Sequence, residues 1–275
     1  MESLPYKILE KNEQRVSNSF IVEWKGKKCF MKQYLDLHDE EMVRSEFEKS
    51  KKVYELLKNN KFIFTPEPLH LDLNNKILIF EYIPGFVEFK AFFFKNYNLF
   101  RSNKKKITII MTEITKTVAF LHEHLKLDKS ETFTLKGLEK DTLVPFLSDL
   151  CNSNILFKGE KIYLVDFSPS KSLYPLNTSN VMSHYYLDLV TLIYAFKFPP
   201  IPYRPFYKRN FAWLETLIIE TYLKNRKGAS FNKDFMIEAK RYYLTNYLKA
   251  VRNKSKLGFM WERIIKKELK SLENA

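Results

Sequence analysis

Glycine is scarce in this chain, 6 residues of 275. A loop that must bring backbone N–H groups close to a ligand therefore has to manage almost without the residue best suited to it. Cysteine is scarcer still. Cys29 and Cys151 lie far apart and form no metal-spacing pair, so a reduced, cytoplasmic protein is expected. No run of about 18 apolar residues occurs, so no membrane span is expected. Even FVEFKAFFF (86–94) is broken by charges. The opening residues, MESLPYKILEKNEQ, lack the apolar core of a signal peptide. There is no internal repeat and no low-complexity linker.

Acidic residues are in the minority, 32 against 46 Lys and Arg, for a net charge of +14. Such a surplus favours a polyanionic partner: RNA, a phosphorylated sugar or lipid, or peripheral contact with the anionic inner face of a membrane. The alternative is a lysine-rich surface that only maintains solubility. What the chain does have is 45% hydrophobic and 16% aromatic residues. That composition folds, and the length suits one large domain or two lobes.

Periodicity divides the chain in two. Residues 19–26 and 27–35 alternate around Gly26 and predict a hairpin. Residues 38–60 carry apolar positions at helical spacing. Strands are expected at 65–73 and 76–85, joined by a turn at Asn74–Asn75. Beyond them the pattern is mostly helical: 105–125, 187–196, 211–225, 234–253 and a last helix from about Gly258, with a short strand pair around Gly159. The expected architecture is α+β and two-lobed, with a β-rich lobe over 1–83 and a mainly helical lobe over 84–275.

The stretch LSDLCNSNILF (147–157) sets Asp149 five positions before Asn154 and an apolar run, and KIYLVDF (161–167) ends a second apolar run at Asp166. Two short strands with a tight turn bring Asn154 and Asp166 to the same end of a hairpin. Phosphoryl transfer needs little covalent help and much positioning. A carboxylate near the attacking hydroxyl, an amide oxygen on a Mg²⁺ ion and a second carboxylate on the metal supply it.

With these residues the chain resembles the protein-kinase-like superfamily, in the branch of aminoglycoside phosphotransferases, choline kinases and lipopolysaccharide-core sugar kinases. The resemblance covers roughly residues 19–196. SDLCNSN is similar to the branch's H-G-D-x-x-x-x-N, and LVDFS to its D-F-G or D-x-D. Lys32 in CFMKQY matches the strand lysine on the ATP phosphates, and ILIFEYIPG matches the strand and hinge. LHEHL (121–125) stands where the branch ends a helix with L-x-x-L-H, and Asp188 matches the D-L that opens a later helix. The resemblance implies a protein-kinase-like fold, ATP and Mg²⁺. It implies Asp149 as the catalytic base, Asn154 and Asp166 as metal ligands, and adenine on the backbone around Glu81–Ile83. Lys32 would be paired to a glutamate of the 38–60 helix. Glu46 shares an apolar face with Val53 and Leu57, so it is the expected partner, with Glu48 the alternative.

The sequence departs from that pattern in three places. Leu147-Ser148 replaces His-Gly before Asp149. In many relatives that histidine packs against the D-F-G phenylalanine and orients the loop; a leucine keeps the packing and loses the hydrogen bond. Ser168 replaces the glycine of D-F-G. The phosphate loop, within KNEQRVSNSF (11–20), has no glycine at all, so Ser17, Asn18 and Ser19 would supply side-chain contacts in place of backbone ones.

Other features have plainer readings. His122 and His124 near a helix end have no Cys/His cluster beside them and read as ordinary helix histidines. FFFKNYNLF (92–100) reads mainly as core. The basic and aromatic run at 239–256 reads as an amphipathic helix with a solvated lysine face, with a phosphate-tracking surface as the alternative. Between Asp166 and Asp188 there is no room for a long activation segment, and no A-P-E follows. A non-protein acceptor is therefore expected, a small molecule or glycolipid. The charge suits an anionic sugar, such as one of the lipopolysaccharide core, better than a cationic aminoglycoside. The alternatives are an RNA- or protein-directed atypical kinase of the RIO type, or a catalytically dead kinase-fold binding module.

Overall fold

The computed structural model describes residues 6–12, 17–35, 39–89, 104–135, 143–151, 153–170, 173–174, 176–197, 212–252 and 258–273. The 92–100 stretch and residues 13–16 of the phosphate loop lie outside them.

Strands β1 (Tyr6–Asn12), β2 (Ser17–Trp24), β3 (Lys27–Tyr34), β5 (Pro68–Asp72) and β6 (Ile77–Glu81) form one antiparallel sheet, in the order β1-β2-β3-β6-β5. The expected hairpin is β2–β3, paired from Ser17↔Tyr34 to Trp24↔Lys27. Its turn residues, Lys25 and Gly26, both have positive φ, as a two-residue turn matching strand twist requires. The turn before β6 is longer than Asn74–Asn75. Asp72 accepts from the Asn75 backbone N–H at 3.1 Å and Lys76 closes it at positive φ. Strand β1 has no counterpart in the sequence reading. It is an edge strand with a bulge between Ile8 and Glu10, and Ile8 and Leu9 are both exposed, so no clean alternation marks it.

Each face of this sheet has its own small core. Phe20, Val22, Cys29, Met31, Ile77 and Ile79 fill one. On the other, Tyr34, Leu78 and Phe80 pack with Val43 of helix α1 (Glu40–Leu57). Glu40 and Glu41 in its first turn complement the helix dipole. The helix is unusual on its inner side. Ser45, Glu46, Lys49 and Ser50 are all buried there alongside Val53 and Leu57.

A second sheet, β4-β11-β10-β7, lies beneath. Its centre is the hairpin of β10 (Ile155–Lys158) and β11 (Lys161–Leu164), turned at Gly159, where φ is +61°. β4 (Ile63–Phe64) runs parallel to β11, and β7 (Val87–Glu88) pairs with β10. These two short strands flank the sequence of the first sheet's last hairpin, so the hairpin that ends in Asp166 is stitched to the upper sheet from both sides. A third sheet, β8-β12-β9, joins Glu131–Phe133, Val181–His184 and Leu143–Pro145, the last of which leads into the loop that carries Asp149.

The remaining long elements among the described residues are helices: α2 (Lys104–His124), α3 (Tyr185–Lys197), α4 (Ala212–Asn225), α5 (Lys233–Arg252) and α6 (Gly258–Glu273). One large apolar core, running from Val53 and Leu57 to Leu272, holds them to the second and third sheets. Lys240 of α5 and Glu215 of α4 form a partly buried ion pair. No described helix is long and apolar enough to cross a membrane. The expected α+β architecture, a β-rich first part and a helical second part, is the one observed.

Candidate active site

A cavity of about 380 Å³ opens between the five-stranded sheet and the β10–β11 hairpin. Its upper wall carries Ser17 and Ser19 of β2 and Lys32 of β3, and Glu46 and Ser50 come from α1. Glu81, Tyr82 and Ile83 form the rear edge where the chain leaves β6. Asn154 and Asp166 stand on the floor with Val165 and Phe167. Of the site residues expected from the sequence, Ser17, Ser19, Lys32, Glu46, Glu81, Ile83, Asn154 and Asp166 line this cavity, whereas Asn18 and Asp149 are not part of its lining.

Lys32 is at the centre. Its Nζ is 3.0 Å and 3.2 Å from the two Glu46 carboxylate oxygens, 2.9 Å from Asp166 Oδ1 and 3.3 Å from Ser168 Oγ. Glu46 is 1% exposed, whereas Glu48 points to solvent, so the helix face selects the former. Burial works against the charge on Lys32, but Asp166 and Glu46 together outweigh it and hold the ammonium above its ordinary range. Burial also raises the Glu46 carboxyl, to about 7, against the pull of Lys32.

Asp166 sits at φ +60°, a left-handed conformation that aspartate tolerates better than most residues. That turn ends β11 and swings the carboxylate back into the cavity. Its Oδ1 accepts from the Ser168 backbone N–H at 3.3 Å and from the Ser168 hydroxyl. Burial opposes its ionisation, yet Lys32 and Ser168 hold the carboxyl below the usual range. The serine in the glycine position of the D-F-G-like motif thus supports the aspartate.

Asn154 is fixed at both ends. Its backbone carbonyl accepts from Val165 N–H at 3.0 Å, and its side-chain Nδ2 donates to the Asp149 backbone carbonyl at 2.9 Å. With the amide nitrogen committed in this way, Oδ1 is the side-chain atom that could serve as a neutral oxygen ligand. One amide oxygen and one carboxylate fit Mg²⁺, which keeps several waters and takes phosphate oxygens as its other ligands. Among the described residues no group of three or more His, Cys, Asp or Glu forms a closed all-protein metal site.

The loop bearing Asp149 hangs from Asp188 at the start of α3. Asp188 Oδ2 accepts from Leu147 N–H at 2.8 Å and Oδ1 from Ser148 N–H at 3.0 Å. His122 Nε2 lies 3.0 Å from the same carboxylate, and its Nδ1 is 2.7 Å from the Tyr222 hydroxyl. His122 is therefore a packed helix histidine. Burial lowers its pKa more than Asp188 raises it, which favours the neutral ring, with one N–H donated to Asp188. Asp188→Asn would turn an NH₂ group toward one of these donors. The expected cost is about 3 kcal/mol in urea unfolding, with loss of order in the Asp149 loop.

Ser148 has φ +83° and is fully buried. A glycine would adopt that backbone without strain, but a glycine has no hydroxyl. Ser148 Oγ lies 3.2 Å from the Phe167 carbonyl and 3.2 Å from Lys49 Nζ. Lys49, buried beside the Asp149 and Asp166 loops, is a residue that the sequence reading did not single out. Its one available signal was position, since it falls three residues after Glu46 on the same helix face.

Aromatic side chains link α3 and α5. Tyr194, Tyr243 and Tyr247 form a stacked series with centroids 5.4 Å and 5.8 Å apart. Burial raises the Tyr247 hydroxyl, with Cys151 and Asp149 adding to it. The aromatic side chains Tyr242, Tyr243 and Tyr247 of the basic run are thus partly or fully buried.

No protein-family model matches the chain, and no curated protein matches it in sequence. Solved structures do. An amicoumacin kinase in complex with AMP-PNP and Ca²⁺ is 11% identical, with 98% of this chain and 89% of that one covered at a TM-score of 0.59. A choline/ethanolamine kinase family protein from Mesorhizobium loti is 12% identical over 99% and 89%, at 0.58. An ethanolamine kinase of Plasmodium vivax is 13% identical over 99% and 82%, at 0.53. The chain has the protein-kinase-like fold.

Proposed function

We propose that the protein is an ATP-dependent phosphotransferase that moves the γ-phosphate to a hydroxyl of a non-protein acceptor. The observation that carries this reading is the convergence of Lys32, Asn154 and Asp166 on one cavity, with Asp149 tied to Asn154 at its edge. A Mg²⁺ ion held by Asn154 Oδ1 and Asp166 would neutralise charge on the phosphates. Lys32, fixed by Glu46, aligns the phosphate chain. Ser17 and Ser19 take up phosphate oxygens through hydroxyls where a glycine loop would use backbone N–H groups. The Glu81 N–H is already committed to the Glu67 carbonyl at 2.8 Å. Adenine recognition therefore falls to the Glu81 carbonyl and the Ile83 backbone. Asp149 orients the acceptor hydroxyl and takes its proton.

The acceptor in this reading is anionic, a phosphorylated or carboxylated sugar such as one from a lipopolysaccharide core. The net charge of +14 supports it. The test is transfer of labelled γ-phosphate from MgATP to a panel of anionic core sugars, set beside choline, ethanolamine, an aminoglycoside and bulk RNA. Label on an anionic sugar is the expected result. Label on a cationic amine or on RNA would overturn the acceptor class while leaving the phosphotransferase reading in place. Absence of any MgATP binding would overturn both.

A further inference from the structure

Lys49 is 0% exposed. A lysine so completely removed from water is costly unless every donor is used. Here Nζ meets the Phe146 carbonyl at 2.6 Å, the Phe167 carbonyl at 2.9 Å, the Ser179 carbonyl at 3.0 Å and Ser148 Oγ at 3.2 Å. The acceptors belong to three separate segments. Phe146 and Ser148 lead into Asp149, Phe167 follows Asp166, and Ser179 precedes β12. One turn earlier on the same helix, Glu46 holds Lys32, and Ser45 Oγ accepts from the Ser179 N–H at 2.8 Å. The left-handed Ser148 is a backbone state that persists only where its surroundings over-determine it, and Lys49 is part of those surroundings.

We propose that Lys49 is a positioning residue of the phosphoryl-transfer site: its ammonium fixes the Asp149 loop and the Asp166 loop against helix α1 and so sets the distance between base and metal ligand. It stands in for a loop-orienting hydrogen bond that Leu147 is unable to make. The inference rests on the phosphotransferase reading for its effect on rate, and on geometry alone for its effect on the loops. Four charged or titratable groups surround Lys49: Glu46 on its own helix, Asp166, Asp188 on α3 and His122 on α2. Burial lowers its pKa to about 8, against the pull of Asp188, Glu46 and Asp166. The unfolded chain therefore binds the extra proton between about pH 8 and 10.5, and this group's contribution to global stability rises with pH there. Loop order should move the opposite way, because deprotonation removes one donor from the four acceptors. A lysine that served only stability would not separate the two.

The experiment uses the full chain and its Lys49→Met variant, which keeps the packing and removes the ammonium. Hydrogen exchange is read at residues 146–150, 167–169 and 179–181, with 216–222 of α4 as the reference. The expected result is at least tenfold faster exchange in all three segments together, with α4 unchanged. The affinity for Mg²⁺–AMP-PNP should stay within about threefold while hydrolysis of MgATP slows at least 30-fold. Unchanged exchange in the three segments would overturn the proposal, as would hydrolysis within threefold of the parent. A parent that binds no nucleotide would remove the phosphotransferase reading and leave the exchange result to decide on Lys49. Should the methionine variant not fold, the parent is compared at pH 7 and pH 9.5 after correction for intrinsic exchange. Loosening of the three segments relative to α4 supports the role, and equal protection at both pH values overturns it.

Discussion

Asp166→Asn is expected to erase the Mg²⁺-dependent stabilisation of the protein by ATP. The substitution is close to isosteric, and asparagine tolerates the left-handed backbone at φ +60° as readily as aspartate does, so the turn after β11 should survive. What goes is the charge. The parent holds this carboxylate below the usual range through Lys32 and Ser168, against its burial, so it is ionised across the neutral range and lost only as the pH falls through its depressed folded pKa. Without it, the proposed Mg²⁺ site has only neutral amide oxygens, and Glu46 is the one carboxylate left on Lys32 among its described partners. At a ligand concentration of about 100 Kd the parent should gain about 2.7 kcal/mol. The variant should gain almost nothing in the same thermal-shift titration. Turnover should fall about 10³-fold, the scale of several kcal/mol of charge stabilisation in the transition state. An undiminished, Mg²⁺-dependent shift in the variant would place the nucleotide elsewhere.

Much of this site was legible because the residues that carry it sit at fixed distances along short elements. A strand lysine, a D-x-x-x-x-N loop and an aspartate after a hairpin are local patterns, and local patterns survive divergence in everything around them. The choice of Glu46 over Glu48 was legible too, since a helix face is written in its apolar neighbours. Other parts were not. Strand β1 is an exposed, bulged edge, so the alternation that marks a half-buried strand is missing. Strands β4, β7, β8 and β9 are two or three residues long and exist only because a distant partner pairs with them. The Lys49 contacts join residue 49 to residues 146, 148, 167 and 179. No window of sequence spans such a set, and a lysine on a charged helix reads as solvated until the fold removes the solvent.

The chain manages with little glycine by using serine in its place. At four positions where the resemblance calls for glycine or backbone contact, a serine stands instead. Ser148 hydrogen-bonds Phe167, Ser168 hydrogen-bonds Asp166, and Ser17 and Ser19 line the cavity. In the first two cases the hydroxyl replaces backbone freedom with a specific bond to the very loop that the glycine would have let move. The expected consequence is a stiffer catalytic centre than a glycine loop would give, built at the expense of backbone strain at Ser148.

Asp149→Asn separates chemistry from binding. Asp149 lies outside the cavity lined by Lys32, Glu46, Asn154 and Asp166, and its link to Asn154 runs through its backbone carbonyl, which the substitution leaves intact. The Asp188 bonds to Leu147 and Ser148 also use backbone groups. The nucleotide site should therefore be untouched, and Mg²⁺–AMP-PNP should stabilise the variant as it does the parent. Proton acceptance from the attacking hydroxyl is lost, and a positioned base contributes about 10²–10⁴ in rate. A fall of about 10³ in kcat is expected, with the ATP KM within a few fold of the parent, in a coupled assay of ADP release. Set beside Asp166→Asn, which should lose binding and rate together, this split assigns one carboxylate to the metal and the other to the hydroxyl. Equal turnover in Asp149→Asn and the parent would mean that the base is another group. If both variants instead lost nucleotide binding to the same degree, Asp149 would be a member of the phosphate site and not its neighbour.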